Sequence, residues 1–360
     1  MLHVTRIAEF GRSRLRRIFE TADRFRLESP DALRSRHAGR IVATLFYEPS
    51  TRTRLSFESA AMRLGAQCIG FSDPKAASVA KGETLIDTVR TVQRYCDAIV
   101  LRHPAEGAPL LASKVATVPI INAGDGGHEH PTQTLFDLYT AHQRFGSLES
   151  RAIGMIGDLR FGRTAHSLAQ AAALFGVTLY CIAPDELQMP EHLVADLRDR
   201  TTVRLERELN DVLPELDVLY VTRVQAERMP AELMAKIGVS RVISAEALPG
   251  AKAELMVMHP LPRVDEISPA FDSDPRAWYF EQLANGVPIR MALLDEVLSA
   301  SRANPLGASS TPHVPSDPPW LAVEAHEKRC CNPQCVTTLE KHVAPRWERD
   351  RCAYCDHLTR

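Results

Sequence analysis

Short apolar runs recur along the chain, and each is bounded by polar or glycine-containing sequence. Between them lie segments with apolar residues at helical spacing, at about 83–94, 132–144, 164–175 and 230–237. Continuous apolar strands that alternate with helices are typical of parallel sheets covered by helices on both faces. The pattern therefore predicts an α/β fold. The predicted strands are Ile41–Phe46, Ala98–Arg102, Pro119–Asn122, Ala152–Gly157, Val177–Ile182, Asp217–Thr222 and Leu255–Met258.

These elements are too many for one sheet, and their periodicity is interrupted near residue 145. We predict two doubly wound parallel-sheet domains, residues 1–145 and 146–284, with the C-terminal ends of their strands facing a shared cleft. Residues 285–300 predict a final helix that packs back on the first domain. Residues 301–319 contain five prolines and four serines, a composition typical of an extended linker. Residues 320–360 form a short tail that contains the clustered cysteines.

Charge and hydropathy exclude several classes of function. The net charge of -2 gives no electrostatic basis for binding nucleic acid or an anionic membrane. No run approaches the roughly 18 apolar residues of a membrane span, and the N-terminal segment lacks the apolar core of a signal peptide. We therefore expect a cytoplasmic protein that binds neither nucleic acid nor a membrane.

Candidate chemistry is concentrated where predicted strands end. Ser50-Thr51-Arg52-Thr53-Arg54 follows the first strand and begins a predicted helix that continues from Leu55 to Leu64. The first amides of a helix lack internal partners and lie at its positive end, which favours phosphate. The guanidinium of Arg52 also matches phosphate oxygens. This segment therefore predicts a phosphate site; the alternative is a capped helix beside two solvated arginines.

Further polar residues follow other strands. Arg102 ends one strand, and His130 precedes a helix in which Gln133 lies one turn inside. An imidazole at a helix entrance can donate a hydrogen bond to a ligand carbonyl, although a lone histidine is more often structural. Arg163 occupies the lysine position of a loop similar to a phosphate loop. Since no acidic magnesium-binding strand follows, we interpret Arg163 as an anion contact rather than part of a nucleotide site.

Three more segments are candidates. Arg223 and Gln225 come directly after a predicted strand, where the alternative is a surface loop. The prolines around Leu261 fix the backbone, so that the carbonyl oxygens of Pro260 and Leu261 can accept from an amide-bearing ligand. Lys81 lies in a polar loop and is interpreted as solvated unless that loop reaches the cleft.

Seven motifs together carry a resemblance. They are Ser-Thr-Arg-Thr-Arg, Lys-Gly-Glu, Arg-His-Pro, His-Pro-Thr-Gln, Gly-Asp-Leu-Arg-Phe-Gly-Arg-Thr, Arg-Val-Gln and His-Pro-Leu-Pro-Arg. In this order, from about residue 1 to 300, the chain resembles the transcarbamylases, specifically the catalytic chains of the aspartate carbamoyltransferase family. The resemblance implies that carbamoyl phosphate and L-aspartate give N-carbamoyl-L-aspartate and phosphate in pyrimidine synthesis. It also implies a homotrimer with shared active sites and no cofactor for catalysis.

The resemblance assigns roles residue by residue. Carbamoyl phosphate is contacted by Ser50, Thr51, Arg52, Thr53, Arg102, His130, Gln133, Pro260 and Leu261. Aspartate is bound by Lys81, Arg163, Arg223 and Gln225. The catalytic group within these sets is Arg52, Thr53, Arg102, His130 and Lys81. Ser78 and Lys81 are expected from a neighbouring subunit.

Two alternatives stay open. One is a transcarbamylase with a different amine acceptor. An ornithine enzyme would need an acidic partner for the side-chain amine and typically has cysteine where this chain has Pro260. The other is a non-catalytic homologue that acts as a scaffold through its tail. Loss of Arg52, His130 or Lys81 would favour it, and all three are present.

Five of the eight cysteines fall in the last 31 residues. In a chain without a secretory signal, such a cluster indicates metal before disulfides. The spacing predicts a structural Zn²⁺ site; disulfides or free thiols are the alternatives. The predicted ligands are Cys330, Cys335, Cys352 and Cys355. Possible substitutes are Cys331, His342 and His357.

The tail resembles the zinc domain of the regulatory chain of the same family, although it has fewer residues between its cysteine pairs. Residues 301–330 are too few for the nucleotide-binding domain of that chain, which puts nucleotide control in doubt. We expect the tail to dock on a catalytic subunit, where it stabilises the trimer or joins trimers into a higher assembly.

Overall fold

A computed structural model describes residues 1–225, 242–301, 330–340, 342–348 and 350–358. The helix predicted over 230–237 and nearly all of the predicted linker lie outside these residues. The chain divides into two compact units. Unit 1 contains residues 1–9, 17–132 and 287 onward, and unit 2 contains residues 10–16 and 133–286. Each unit is built on a parallel sheet, which confirms the predicted α/β class.

The sheet of unit 1 has four parallel strands in the order β2-β1-β3-β4. One of its two inner strands, Ile41–Phe46, is almost wholly buried, as its apolar sequence predicts. Residue Val4 extends the sheet, because its amide donates to the Ile120 carbonyl at 2.8 Å and its carbonyl accepts from Asn122 at 2.8 Å. The strands are β1 Ile41–Phe46, β2 Gln67–Phe71, β3 Ala98–His103 and β4 Ile120–Asp125.

Helices of unit 1 cover this sheet, and apolar residues of β1, β3 and the last two helices share one buried cluster. The first helix also contributes residues to unit 2. The helices are α1 Arg12–Leu27, α2 Pro30–Ser35, α3 Thr51–Arg63, α4 Leu85–Val92 and α5 Ala108–Val115.

The sheet of unit 2 has five parallel strands in the order β7-β6-β5-β8-β9. The strands are β5 Ala152–Ile156, β6 Thr178–Ile182, β7 Val203–Glu206, β8 Val218–Val221 and β9 Met256–Met258. The helices are α6 Pro131–Phe145, α7 Arg163–Ala173, α8 Glu191–Arg198 and α9 Tyr279–Ser301, the last of which continues into unit 1.

Among the described residues, no helix is both long enough and apolar enough to cross a membrane.

The described part of the tail, residues 330–358, forms a C-terminal module within unit 1. It consists of α10 Val336–Leu339 and an antiparallel hairpin of β10 Trp347–Glu348 and β11 Arg351–Cys352. The Glu106 amide donates to the Gln334 carbonyl, and the Val336 amide donates to the Glu106 carbonyl, both at 2.9 Å. Buried side chains of the module join the same apolar cluster as α4 and α5. The module therefore shares its core with unit 1.

Charged groups add to this docking. The ring of His128 lies between two carboxylates, with Nδ1 3.0 Å from Asp125 and Nε2 3.0 Å from Asp356. Burial alone would lower the pKa of His128, but the two carboxylates hold it well above its ordinary value. The Arg6 guanidinium donates to the Tyr354 carbonyl at 3.0 Å. Both His128 and Arg6 belong to the N-terminal part of unit 1. Polar as well as apolar contacts therefore fix the module to that part of the chain.

Gly157 provides a test of the packing of unit 2. It has φ +113°, and a Cβ built there would lie 2.1 Å from the Thr222 carbonyl oxygen. We expect Gly157→Ala to destabilise the protein by about 3 kcal/mol or more, since backbone strain and a clash with fixed backbone add. Thermal unfolding followed by circular dichroism would measure this.

Gly176→Ala is the matched control. Gly176 also has positive φ, +67°, but an added Cβ meets nothing within 4 Å. Only the strain of the positive φ angle should remain, which would lower the stability by about 1–2 kcal/mol. Equal losses in the two variants would contradict the packing argument.

Candidate functional site

In both units two candidate arginines lie at the ends of the two strands between which the strand order reverses. Unit 1 reverses between β1 and β3, which lead to Arg52 and Arg102. Unit 2 reverses between β5 and β8, which lead to Arg163 and Arg223. Successive connections leave such a point toward opposite faces, so a crevice remains beyond the carboxyl ends of the strands. Each sheet thus has two arginines at the point where open α/β sheets generally bind ligands.

The candidate phosphate segment lies in the first turn of α3. The helix begins at Thr51, within the segment predicted to begin it, so that Arg52 and Thr53 belong to its N-terminal turn. Ser50 is the N-cap residue, and its side chain makes no capping hydrogen bond. Arg54 instead forms an ion pair with Glu58 at 3.2 Å. The turn therefore offers helix amides, hydroxyls and one guanidinium together.

Arg102 is held in place by groups from two other segments. Its guanidinium donates to the Ala123 carbonyl at 3.2 Å and lies 3.4 Å from the carboxylate of Glu48. Its side chain is 13% exposed. Glu48 was not predicted as a site residue; its position between β1 and α3 was the available signal. The ion pair orients Arg102 at the end of β3.

His130 and the Ser78–Lys81 turn have different settings. His130 is buried before α6, and its Nδ1 lies 3.5 Å from the Thr132 hydroxyl. Ser78 and Lys81 are exposed and belong to a short 3₁₀ turn, Ser78–Lys81. This turn follows the edge strand β2 rather than β1 or β3. The strand order of unit 1 therefore does not bring Lys81 to the point that carries Arg52 and Arg102.

In unit 2, the buried Asp158 joins the two loops that carry the candidate arginines. One carboxylate oxygen accepts from the Arg160 and Phe161 amides at 3.1 and 2.9 Å, and the other accepts from the Gln225 amide at 3.2 Å. Arg163, 8% exposed, begins α7 directly after this loop. Asp158 thus fixes the loop after β5 to the segment after β8. Its place in the Gly-Asp pair at a strand end was the sequence signal that we missed.

A second buried carboxylate supports Gln133. Asp137 accepts hydrogen bonds from the side chains of Gln133 at 2.8 Å, Gln282 at 2.6 Å and Tyr220 at 2.8 Å. Gln282 in turn accepts from the His259 amide at 3.0 Å. The network connects Gln133 to the segment that contains Pro260 and Leu261. Asp137 lies four residues after Gln133 on α6, but the other partners come from α9 and β8.

The turn at Pro260 and Leu261 is fixed by a buried histidine. His259 Nδ1 accepts from the Leu261 amide at 2.8 Å, and His259 Nε2 lies 2.6 Å from Glu266. Burial alone would raise the pKa of Glu266, but hydrogen bonds from His259 and the Val264 amide lower it to about 2. A carboxylate facing Nε2 leaves Nδ1 as the acceptor, which closes the turn and sets the direction of its carbonyl groups.

The C-terminal module contains a group of four buried cysteines. Two pairs of sulfur atoms lie 3.6 and 3.7 Å apart, and all four lie within 4.8 Å of one another. Ligands about 2.3 Å from a tetrahedral Zn²⁺ would be separated by about 3.8 Å, so the cluster fits a metal ion. Cys331 is exposed, and neither it nor His342 or His357 belongs to the cluster. The four members are Cys330, Cys335, Cys352 and Cys355.

Two family models match the chain. The model described as "Aspartate/ornithine carbamoyltransferase, carbamoyl-P binding domain" matches residues 2–143. The model described as "Aspartate/ornithine carbamoyltransferase, Asp/Orn binding domain" matches residues 149–297. The C-terminal module lies beyond both matches.

Individual relatives agree with these matches. The "Aspartate carbamoyltransferase catalytic subunit" of Thermococcus gammatolerans is 52% identical over 81% of this chain and 96% of its own. The catalytic subunit of M. jannaschii aspartate transcarbamoylase has a TM-score of 0.76 and 43% identity, covering 83% of this chain and 99% of that one. Aspartate transcarbamoylase from Trypanosoma cruzi, solved with carbamoyl phosphate and aspartate, has a TM-score of 0.76 and 39% identity, covering 82% and 96%.

The role of Asp137 in unit 2 can be tested by substitution. In Asp137→Asn, one acceptor oxygen becomes a donor that faces the donors now bonded to the carboxylate. We expect a loss of about 2–3 kcal/mol of stability, since a charge-assisted hydrogen bond is lost and a buried donor is left unpaired. Chemical denaturation would measure it. The control is Asp211→Asn at an exposed position of unit 2, which should be near neutral; an equal loss there would refute this role.

Proposed function

The chain belongs to the aspartate/ornithine carbamoyltransferase family, and we propose that it transfers the carbamoyl group of carbamoyl phosphate to L-aspartate. The products are N-carbamoyl-L-aspartate and phosphate. The observation that carries this proposal is the placement of two arginines at the strand-order reversal of each sheet. It is supported by relatives that are named "Aspartate carbamoyltransferase catalytic subunit".

The residues of unit 1 suit the phosphate half of the reaction. Ser50, Thr51, Arg52 and Thr53 would hold the phosphate at the N-terminus of α3, whose first turn contains free helix amides and Arg52. Arg102 and His130 would donate to the carbonyl oxygen of carbamoyl phosphate. Negative charge develops first on that oxygen and then on the leaving phosphate, so preorganised donors at both places lower the barrier.

The residues of unit 2 suit the acceptor half. Aspartate carries two carboxylates, which need two cationic contacts, and we assign these to Arg163 and Arg223 with Gln225 beside them.

Gln133 and the carbonyl groups of Pro260 and Leu261 would bind the carbamoyl amide of the other substrate. No protein nucleophile is required, because the aspartate amine attacks directly and the departing phosphate can accept its proton.

Lys81 and the oligomeric state belong to one proposal. Lys81 would bind aspartate together with the arginines, yet its turn is exposed and follows an edge strand. A homotrimer in which Ser78 and Lys81 enter the site of a neighbouring subunit accounts for this exposure. The C-terminal module would stabilise that trimer or join trimers into a higher assembly.

We assign the four-cysteine cluster to structural Zn²⁺. The ligand set is Cys330, Cys335, Cys352 and Cys355; four buried thiolates leave no open coordination position for a substrate. Zn²⁺ would hold together a module with few apolar residues of its own. Catalysis itself is assigned to no cofactor.

Replacement of Arg52 tests the proposed reaction. We expect Arg52→Ala to lower kcat by about 10²–10³-fold, with a smaller effect on KM for aspartate, because the guanidinium faces charge that grows on the leaving phosphate. Formation of carbamoyl-aspartate, followed colorimetrically, would measure this. Arg54→Ala, which removes a side chain paired with Glu58, is the control and should retain most activity. Turnover of ornithine without turnover of aspartate would refute the proposed acceptor.

Metal content tests the zinc assignment. We expect about one zinc per chain by elemental analysis, and its loss in Cys335→Ser, since a closed tetrahedral site needs all four thiolates. Cys331→Ser changes a neighbouring cysteine outside the cluster and should keep the metal. Cysteines paired as disulfides in the purified protein would rule out the assignment.

A further inference from the structure

A carboxylate of the C-terminal module binds the start of the helix that follows the Lys81 turn. Glu340 follows α10, and its Oε1 accepts a hydrogen bond from the Leu85 amide at 3.0 Å. Leu85 is the first residue of α4. A carboxylate at that place satisfies an amide that has no partner inside the helix and lies at the positive end of the helix dipole.

The start of α4 is capped from two sides. Thr84 is the N-cap residue, and its hydroxyl oxygen accepts from the Asp87 amide at 3.1 Å. Glu340 supplies the cap for Leu85, from a position 255 residues later in the sequence. The Glu340 side chain is 19% exposed, so this hydrogen bond is partly screened from water. The local cap is part of unit 1's own sequence, whereas the second cap exists only when the module is docked.

The Lys81 turn is joined directly to this helix start. The turn ends at Lys81, and Gly82 with φ +90° leads to Glu83, whose carboxylate accepts from the Thr88 hydroxyl at 3.0 Å inside α4. Val79, in the same turn, packs against the buried cluster that includes Val336 of the module. The apolar contact of the turn and the second cap of the helix that follows it therefore both involve the module.

We propose that Glu340 is a positioning residue for Lys81: the zinc-held module caps α4 and so sets the place of the turn that binds aspartate. This inference rests on the proposed function, since it uses the assignment of Lys81 to aspartate. It adds that the C-terminal module acts on substrate binding through a defined hydrogen bond. The module is then a support for the active site as well as for assembly.

Kinetics of Glu340→Ala test the proposal. We expect kcat/KM for aspartate to fall about tenfold, the loss that corresponds to one charge-assisted hydrogen bond, mainly through a higher KM for aspartate. The KM for carbamoyl phosphate and the zinc content should stay near wild type. The control is Glu348→Ala, at an exposed position of β10 in the same module, which should change none of these. An unchanged KM for aspartate in Glu340→Ala would overturn the proposal.

A double substitution separates positioning from a general structural effect. In a Lys81→Ala background, Glu340→Ala should cause little further loss, because both changes act through the same ammonium group. Full additivity of the two losses would overturn the proposal. Glu340→Gln keeps an acceptor oxygen and should recover part of the activity; a Gln variant as impaired as the Ala variant would count against the hydrogen bond.

Hydrogen exchange gives a readout independent of activity. We expect the Leu85 amide, and peptides that cover residues 78–88, to exchange faster in Glu340→Ala than in wild type or Glu348→Ala. Unchanged exchange would overturn the proposal even if the kinetics changed. If the wild-type protein did not form carbamoyl-aspartate, the proposed function would fail, whereas faster exchange would still establish the cap.

Discussion

Parallel pairing of the strands is the constraint on which the rest of the structure depends. Because every strand of a parallel sheet runs in one direction, the segments that follow the strands emerge at one edge. Arg52 and Arg102 are fifty residues apart in sequence, yet Arg52 follows β1 and Arg102 lies at the end of the neighbouring strand β3. Arg163 and Arg223 follow β5 and β8 in the same way. Cations that would repel one another in a single loop are thus presented by separate rigid elements.

Carboxylates, two of them fully buried, hold these elements in fixed positions. Glu48 holds Arg102, Asp158 joins the loops after β5 and β8, and Asp137 connects Gln133 to α9. A carboxylate removed from water costs several kcal/mol unless donors surround it, so the buried Asp158 and Asp137 each enforce one arrangement of their partners. The half-buried Glu48 adds an ion pair that orients Arg102. Rigidity of this kind is what electrostatic catalysis requires, because donors that need no reorganisation stabilise charge as it forms.

Much of this architecture could be predicted from the sequence, because buried parallel strands have continuous apolar runs. All seven predicted strands overlap observed ones, and β1 has the predicted bounds. The edge strands β2 and β7 were missed because exposed residues interrupt their apolar sequence, as an edge allows. The supporting contacts were also missed. The hydrogen bond between Asp137 and Gln282 spans 145 residues, and no local pattern encodes such a pairing.

The docking of the C-terminal module depends on particular residues in the rest of unit 1. Gly107 has φ +81°, and a Cβ there would lie 2.5 Å from the Tyr354 carbonyl oxygen, so the module can approach α5 only over a glycine. The carboxylate of Glu106 accepts from Asn332 at 2.6 Å, and His128 faces Asp356. Since these complementary groups lie on segments that adjoin Arg102 and His130, the docking surface and these candidate residues share the same stretches of backbone. A module docked in this way constrains the loops that carry the candidate residues by direct contact.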